Sequence, residues 1–284
     1  MGQCSGMSHD GRRCGAAYDR RVAGPSDDLT LVWDAFVGLA LAFYASGPGG
    51  GAFGAPGWFA ALSHERSGEL NVCGLTPTAT DASAEELLDA IGPDLPAIVF
   101  VSSFSDPAAG AFLEQNGFDA VTVTEPLMRL GLSPRPAPTP FRIEPADVAA
   151  IDIAVALTAE AHHVDQQMVE NTIRHAGLLG TARVWIAWDG DDPISVIWIG
   201  RRDRWLGVME MMTPERRQRR GAGRALMSRA LAEEWSAETE SAILIATPAG
   251  RRLYESIGFV AVDEIVTRHR GLDEDVLDAI GQPG

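Results

Sequence analysis

The sequence predicts a mixed α/β fold of the α+β type, a sheet with helices on both sides, built twice in tandem. Three observations lead there. The chain has 284 residues, 46% of them hydrophobic, enough for two cores at roughly 150 residues each. Apolar runs of strand length alternate with apolar runs of helical period in both halves. The second half also repeats part of the first at an offset of 141. Pro107-Ala108 matches Pro248-Ala249, Glu114 matches Glu255, Gly117-Phe118 matches Gly258-Phe259, and Ala120-Val121 matches Ala261-Val262, seven identities in fifteen positions. A Gly-Phe turn in the same register favours duplication over chance.

Residues 1–25 are small, polar and aperiodic and are expected to form a flexible tail. Leu29 to Ala45 carry a helical apolar pattern. The glycine-rich run 46–57 has no helix-opening pattern or basic residue behind it, which predicts a mobile loop rather than a phosphate cradle. A strand near Leu70 to Leu75, a helix at Ala84 to Ile91, a strand at Ala97 to Ser102, a helix at Pro107 to Asn116 and a strand at Ala120 to Thr124 complete a first domain, 26–135. The Pro-rich run Ser133 to Pro140 reads as an extended linker. A second domain, 136–270, follows. It begins with a strand near Phe141 and helices at Ala146 to Ala159 and Asp165 to Ala176. Strands at 183–188 and 194–201 flank a Gly-Asp-Asp turn. A strand at Leu206 to Thr213, a helix from Gly223 to Ser236, a strand at Ala242 to Thr247, a helix at Pro248 to Ile257 and a last strand pair end it. Residues 271–284 form a C-terminal tail.

Composition removes several classes of function. The longest apolar stretch, Phe36 to Ala45, is too short to span a bilayer, and no signal-like segment precedes it. With three cysteines (Cys4, Cys14, Cys73) there is no disulfide framework, so a cytoplasmic protein is expected. The net charge of −16 disfavours nucleic acid and anionic membranes as partners. All 23 basic residues are arginine, which excludes Schiff-base, pyridoxal-phosphate and P-loop chemistry, each of which needs a lysine amine. Within this acidic chain, residues 201–229 hold nine arginines and three acids, a local charge of +6. A basic island in an acidic protein asks for an anionic ligand.

The island contains Gln218-Arg219-Arg220-Gly221-Ala222-Gly223-Arg224, between the strand ending in Met211-Met212-Thr213 and a helix. Glycines let backbone approach a ligand and turn N–H groups toward it, the helix N-terminus adds its positive dipole end, and the arginines supply charge for a pyrophosphate. With the run Ala246 to Phe259 (ATPAGRRLYESIGF), this resembles the two acyl-CoA signatures of the GNAT N-acetyltransferase superfamily. The resemblance covers 141–270, and in the first half only 97–131. It implies two GNAT-like domains in tandem, with acetyl-CoA as acyl donor and no metal.

Carried over by position, the resemblance implies that the backbone of Met211, Met212 and Thr213 pairs with the pantetheine arm, the Met211 N–H facing the thioester carbonyl. Gln218, Arg219, Arg220, Gly221, Ala222, Gly223 and Arg224 would wrap the pyrophosphate, and Tyr254 would protonate the leaving thiolate. Thr247 and Arg251 fall in the second signature and are assigned to cofactor binding, Thr247 where the family often has asparagine. A glutamate base used by some members falls at Gly207 and is missing. Glu210 lies on the same strand at opposite parity and reaches the same side only if a bulge intervenes. The pair His162-His163, with Asp165 and Glu170, sits where the acceptor wall is expected. His163 is taken with Tyr254 and Glu210 as a catalytic candidate, and helix-end histidines without chemistry are the alternative. Adjacent histidines point apart on a helix, so no metal site is expected there.

The first half has no arginine between Asn71 and Pro96, and Leu113 stands where Tyr254 does. It is expected to be a degenerate copy without the cofactor loop, serving packing, the acceptor pocket or a homodimer. Two functions stay open. One is transfer of an acetyl group to a small-molecule or peptide amine in a ternary complex, with no cysteine nearby for a covalent acyl-enzyme. The other is a non-catalytic acyl-CoA-binding sensor.

Overall fold

The computed structural model describes residues 26–272, except the side chains of 121–123; the tail assigned to 1–25, and all but the first two residues of the tail assigned to 271–284, lie outside them. The first half runs α1 (Asp27–Tyr44), β1 (Gly51–Ala55), β2 (Trp58–Leu62), β3 (Asn71–Leu75), α2 (Asp81–Ile91), β4 (Ala97–Ser102), α3 (Pro107–Gln115) and β5 (Asp119–Leu130). The second runs β6 (Arg142–Pro145), α4 (Val148–His162), α5 (Gln166–Asn171), α6 (Ile173–Leu179), β7 (Ala182–Asp189), β8 (Asp192–Arg202), β9 (Trp205–Met212), α7 (Ala222–Glu234), β10 (Ser241–Ile245), α8 (Pro248–Ile257) and β11 (Val260–Arg270).

All eleven strands join one sheet in the order β1-β2-β3-β4-β11-β5-β10-β9-β8-β7-β6. Each half therefore gives its last strand to the other. β5 pairs antiparallel with β10 of the second half, β11 pairs antiparallel with β4 of the first, and the two exchanged strands pair with each other at the centre. One face of the sheet is covered by α1 and α4–α6 over a single continuous apolar cluster. The other face carries α7 and α8 in the second half, and α2 and α3 in the first.

The repeat seen in the sequence is a pair of helix ends. α3 and α8 each open with a capping side chain, Asp106 accepting from Ala108 N and Thr247 from Gly250 N, followed by proline in the first turn. Each ends at a left-handed glycine, Gly117 at φ +82 and Gly258 at φ +113. The next residue then closes the turn: Phe118 N donates to Leu113 O and Phe259 N to Tyr254 O, both at 3.1 Å. Leu113 and Tyr254 are thus equivalent backbone positions whose side chains are free to differ.

The glycine-rich run did not stay a loop. Residues 51–55 form an edge strand paired with β2, the two joined through Gly57 at φ +97. Four of the five β1 residues are exposed, so the run shows no alternation that would mark a strand in sequence. Among the described residues no helix is long and apolar enough to cross a membrane.

Asp263 anchors the exchange. It sits at a bulge in β11 and is 1% exposed. It accepts hydrogen bonds from Trp33 Nε1 of α1 at 2.9 Å, from Ser102 Oγ at the end of β4 at 2.5 Å and from Ser103 Oγ just past it at 2.6 Å. One carboxylate of the second half thus satisfies three side-chain donors of the first, those of Trp33 and Ser102 on buried residues, and also accepts from Ser103 N. Asp263→Ala should lower unfolding free energy by about 2–4 kcal/mol, because these donors lose their acceptor away from water. Urea unfolding checks this against Asp28→Ala, an exposed carboxylate expected to change stability by less than about 0.5 kcal/mol.

Candidate functional site

The geometry begins with a bulge. β8 pairs Trp198 with Glu210 and Ile199 with Val208, leaving Met209 as an extra residue in β9. One added residue reverses the alternation, so Gly207 and Glu210 lie on the same face of the sheet, under α1 and α4. Gly207 leaves no room for a side chain: a Cβ there would lie 2.7 Å from Leu39 Cδ1 of α1. The first half thus seals the position where a base was expected, and the bulge delivers Glu210 instead.

Beside it the sheet opens. β9 and β10 pair in parallel only from Ser241↔Trp205 to Ile243↔Gly207; beyond that both strands continue unpaired with each other. This leaves the β9 backbone at Met211 and Met212 without a partner in β10. In the first half the equivalent strands β3 and β4 stay paired through Leu75↔Val101, so no gap forms there.

A cavity of about 250 Å³ lies at the opening. Met211, Met212, Thr247 and Tyr254 line it from the gap, and Glu210 and His162 from the α4 side; the first half adds Phe36, Tyr44, Glu69 and Glu125. Glu210, 6% exposed, receives the Tyr44 hydroxyl at 2.8 Å on Oε1 and faces His162 Nε2 at 3.2 Å on Oε2. His162 Nδ1 lies 2.9 Å from Glu69 Oε1. Burial by itself would push the His162 imidazolium down, but the carboxylates of Glu69 and Glu210 on either side hold it well above its ordinary range. Burial, then the Glu210 charge, raise the Tyr44 phenol, and the same two causes raise Tyr254 to about 12. Both tyrosines are therefore proton donors at neutral pH. Burial pushes the Glu125 carboxyl up to about 7 against the opposing hydrogen bond from the Thr267 hydroxyl.

The arginine loop turns tightly into α7, with Arg219 at φ +62 and Gly221 at φ +82. Gly221 is the N-cap and offers no side chain, so the first N–H groups of α7, from Ala222, Gly223 and Arg224, are free to face a ligand. Gln218 Nε2 donates to Thr213 O at 3.0 Å, tying the loop to the end of β9. Arg220 is paired with Asp189, and Arg216 and Arg217 with Glu160 and Asp192. Arg220 and Arg224 also line a cleft of about 350 Å³ with Arg135 of the linker, a residue the sequence pattern did not single out. Arg251 is turned to Glu255 and Glu264 instead of the loop. Thr247 caps α8 and lines the cavity.

His163 is not in the cavity. It is the left-handed C-cap of α4, exposed, in a separate small cleft with Arg66 and Asp165. Its neighbour His162, the last helical residue, faces β9, since consecutive side chains at a helix end point apart. Asp165 caps α5 and Glu170 accepts from Gln166. Tyr44, Glu69 and Glu125 had no signal in the sequence: they come from the first half, far from either signature.

The family model of the acetyltransferase (GNAT) domain matches residues 151–273. Similar solved structures include a GCN5-related N-acetyltransferase from Kribbella flavida, 14% identical over 85% of this chain and 95% of that one, with a TM-score of 0.61. A GCN5-related N-acetyltransferase-like protein from Streptococcus suis is 13% identical over 85% and 92% of the two chains, at TM-score 0.56. A GCN5-related glucosamine N-acetyltransferase region of a fungal multi-domain GH3 β-N-acetylglucosaminidase is 10% identical over 75% of this chain and 31% of that one, at 0.54. At these identities the likeness is one of fold. A comparison with curated proteins gives no match.

The raised His162 has a consequence for stability. A group with its folded pKa above the unfolded value stabilises in full below the unfolded pKa, near 6.5, and loses that contribution as pH rises through the folded value. The difference in unfolding free energy between wild type and His162→Gln should therefore be largest below about pH 6.5 and shrink above it. Urea titrations across pH check this; a difference that grows with pH would mean the imidazole is neutral in the folded state.

Proposed function

We propose, from the premise that residues 151–273 form a GNAT acetyltransferase domain, that this chain is an N-acetyltransferase moving the acetyl group of acetyl-CoA to a primary amine by direct attack. The observation that carries the reading is the bulge at Met209, which brings Glu210 to the cavity that Tyr254 lines. A module that only binds acyl-CoA needs neither a buried carboxylate network nor a phenol beside the opened strands.

The groove fits the donor on several counts: the opened edge of β9, the free first turn of α7 and the arginines around it. Bound there, acetyl-CoA supplies the thioester carbonyl and a thiolate leaving group. The Met211 N–H, fixed by its strand, is set to stabilise negative charge on that carbonyl oxygen at no cost in reorganisation. Glu210 takes the proton that the attacking amine must lose as its C–N bond forms. Tyr44 and the His162 imidazolium hold the Glu210 carboxylate in place, and Glu69 holds His162. Tyr254 donates its phenolic proton toward sulfur as the C–S bond breaks. The two carboxylate and phenol steps assist one another. Once Glu210 is protonated its charge is gone, and so is the part of the raised Tyr254 pKa due to that charge. The phenol is thus most acidic when the thiolate leaves.

Three variants separate these roles, with coenzyme A release over an amine panel as the measurement. Tyr254→Phe keeps the ring packed on Phe259, so acetyl-CoA affinity should hold while kcat falls roughly 10²-fold or more. Glu210→Gln should lower kcat by about 10²–10⁴-fold. Gly221→Val should abolish acetyl-CoA binding, because a branched residue is strained at φ +82 and its side chain crowds the N–H groups of α7. Unchanged kcat in both of the first two variants, with chemistry rate-limiting, would sink the assignment.

A further inference from the structure

The cavity has a second carboxylate that transfer to a simple amine does not use. Glu125 lies on β5, the strand lent by the first half, and is 5% exposed. It is paired with Ile265 of β11 and shares its face, the face under α1 that Glu210 also occupies. Among the described residues its carboxylate has one side-chain hydrogen bond, from the Thr267 hydroxyl to Oε2. No arginine lines this cavity, and the chain has no lysine. The one cationic side chain present, His162, is already held between Glu69 and Glu210. Glu69 Oε2 is also buried without a partner. Glu69 and Glu210 thus share one imidazolium, and Glu125 lines the same cavity with no cationic side chain of its own, so that a cationic occupant would supply the counter-charge of its carboxylate.

We propose that Glu125 sets acceptor specificity by binding a second cationic group, so that the acceptor is a small amine carrying two ammonium groups. This rests on the transferase reading and names its substrate class. One nitrogen sits at Glu210, where it loses its proton and attacks; the other stays charged at Glu125. β10 stands between β5 and β9, so the two backbones are about 10 Å apart where the three strands are paired and further apart where β9 parts from β10; the two side chains share a face and line one cavity, within the reach of an aliphatic diamine. Ile245 of β10 stands between the two poles, and Phe36, Val72, Ile98 and Phe100 continue the apolar lining on the other side of Glu125, which suits methylene carbons. The raised Glu125 pKa agrees with this: a buried carboxylate awaiting a counter-ion resists ionisation until the cation arrives.

Glu125→Gln is isosteric and still accepts from Thr267, so it tests charge with the shape kept. Coenzyme A release is measured for putrescine against butylamine and cadaverine against pentylamine, with calorimetry of putrescine binding alongside. In wild type, kcat/KM should favour each diamine over its monoamine at least roughly 10-fold. In Glu125→Gln the diamine KM should rise roughly 10- to 100-fold at near-constant kcat, while the monoamines change little. Equal turnover of diamines and monoamines by wild type would overturn the proposal and leave the transferase reading standing. So would an equal fall in kcat for all four amines in Glu125→Gln, which assigns Glu125 to proton transfer or folding. Putrescine binding that depends on Glu125 without coenzyme A release would support recognition and sink transfer. Neither binding nor release would overturn both.

Discussion

Everything at the candidate site depends on the exchange of last strands between the halves. β5 is drawn out of the first half and set between β10 and β11. It brings Glu125 to the cavity, and the return strand β11 brings Thr267. Without the exchange the second half's own last strand, β11, would stand beside β10; here β5 takes that place. Asp263 holds this arrangement because three donors of the first half converge on it, so slipping β11 by one residue would orphan them.

The second constraint is electrostatic. Glu69, His162 and Glu210 form a line in which one imidazolium serves two carboxylates, with the Tyr44 hydroxyl at the far oxygen. Such a line is costly to bury and tolerable only when each group finds a partner. Its members come from the turn before β3, from α4, from β9 and from α1, so it also locks the halves together. Rigid placement of Glu210 is the functional return.

A degenerate repeat explains the asymmetry between halves. The helix caps that build α3 and α8 are kept in both, since losing them would unravel the helix ends and the buried phenylalanine after each. The chemistry is kept in one. Leu113 replaces the tyrosine, β3 and β4 stay paired, and α2 opens with an ordinary Thr80–Ser83 capping box instead of a bare glycine. The first half supplies α1, which fills the space over Gly207 and lines the cavity with Phe36 and Tyr44.

The sequence by itself determined the class of fold, the duplication, the arginine-glycine loop and Tyr254, because each rests on local rules: apolar period, capping, left-handed glycine, helix N-terminus. Gly221, Gly223 and the Thr247-Pro248 start of α8 could be read because their roles involve neighbours within a turn or two. The tertiary structure decided the rest. Whether Glu210 or Gly207 faces the cavity turns on a single bulged residue, which depends on how β8 pairs with β9 and leaves no mark in composition. His162 rather than His163 was chosen by the rotation of α4 against the sheet. Tyr44, Glu69 and Glu125 became site residues only through the strand exchange, which joins positions 85 to 166 residues apart along the chain from Glu210. Local free energy writes itself into nearby residues; which distant strands pair is settled by burying whole faces, and no single residue carries that information.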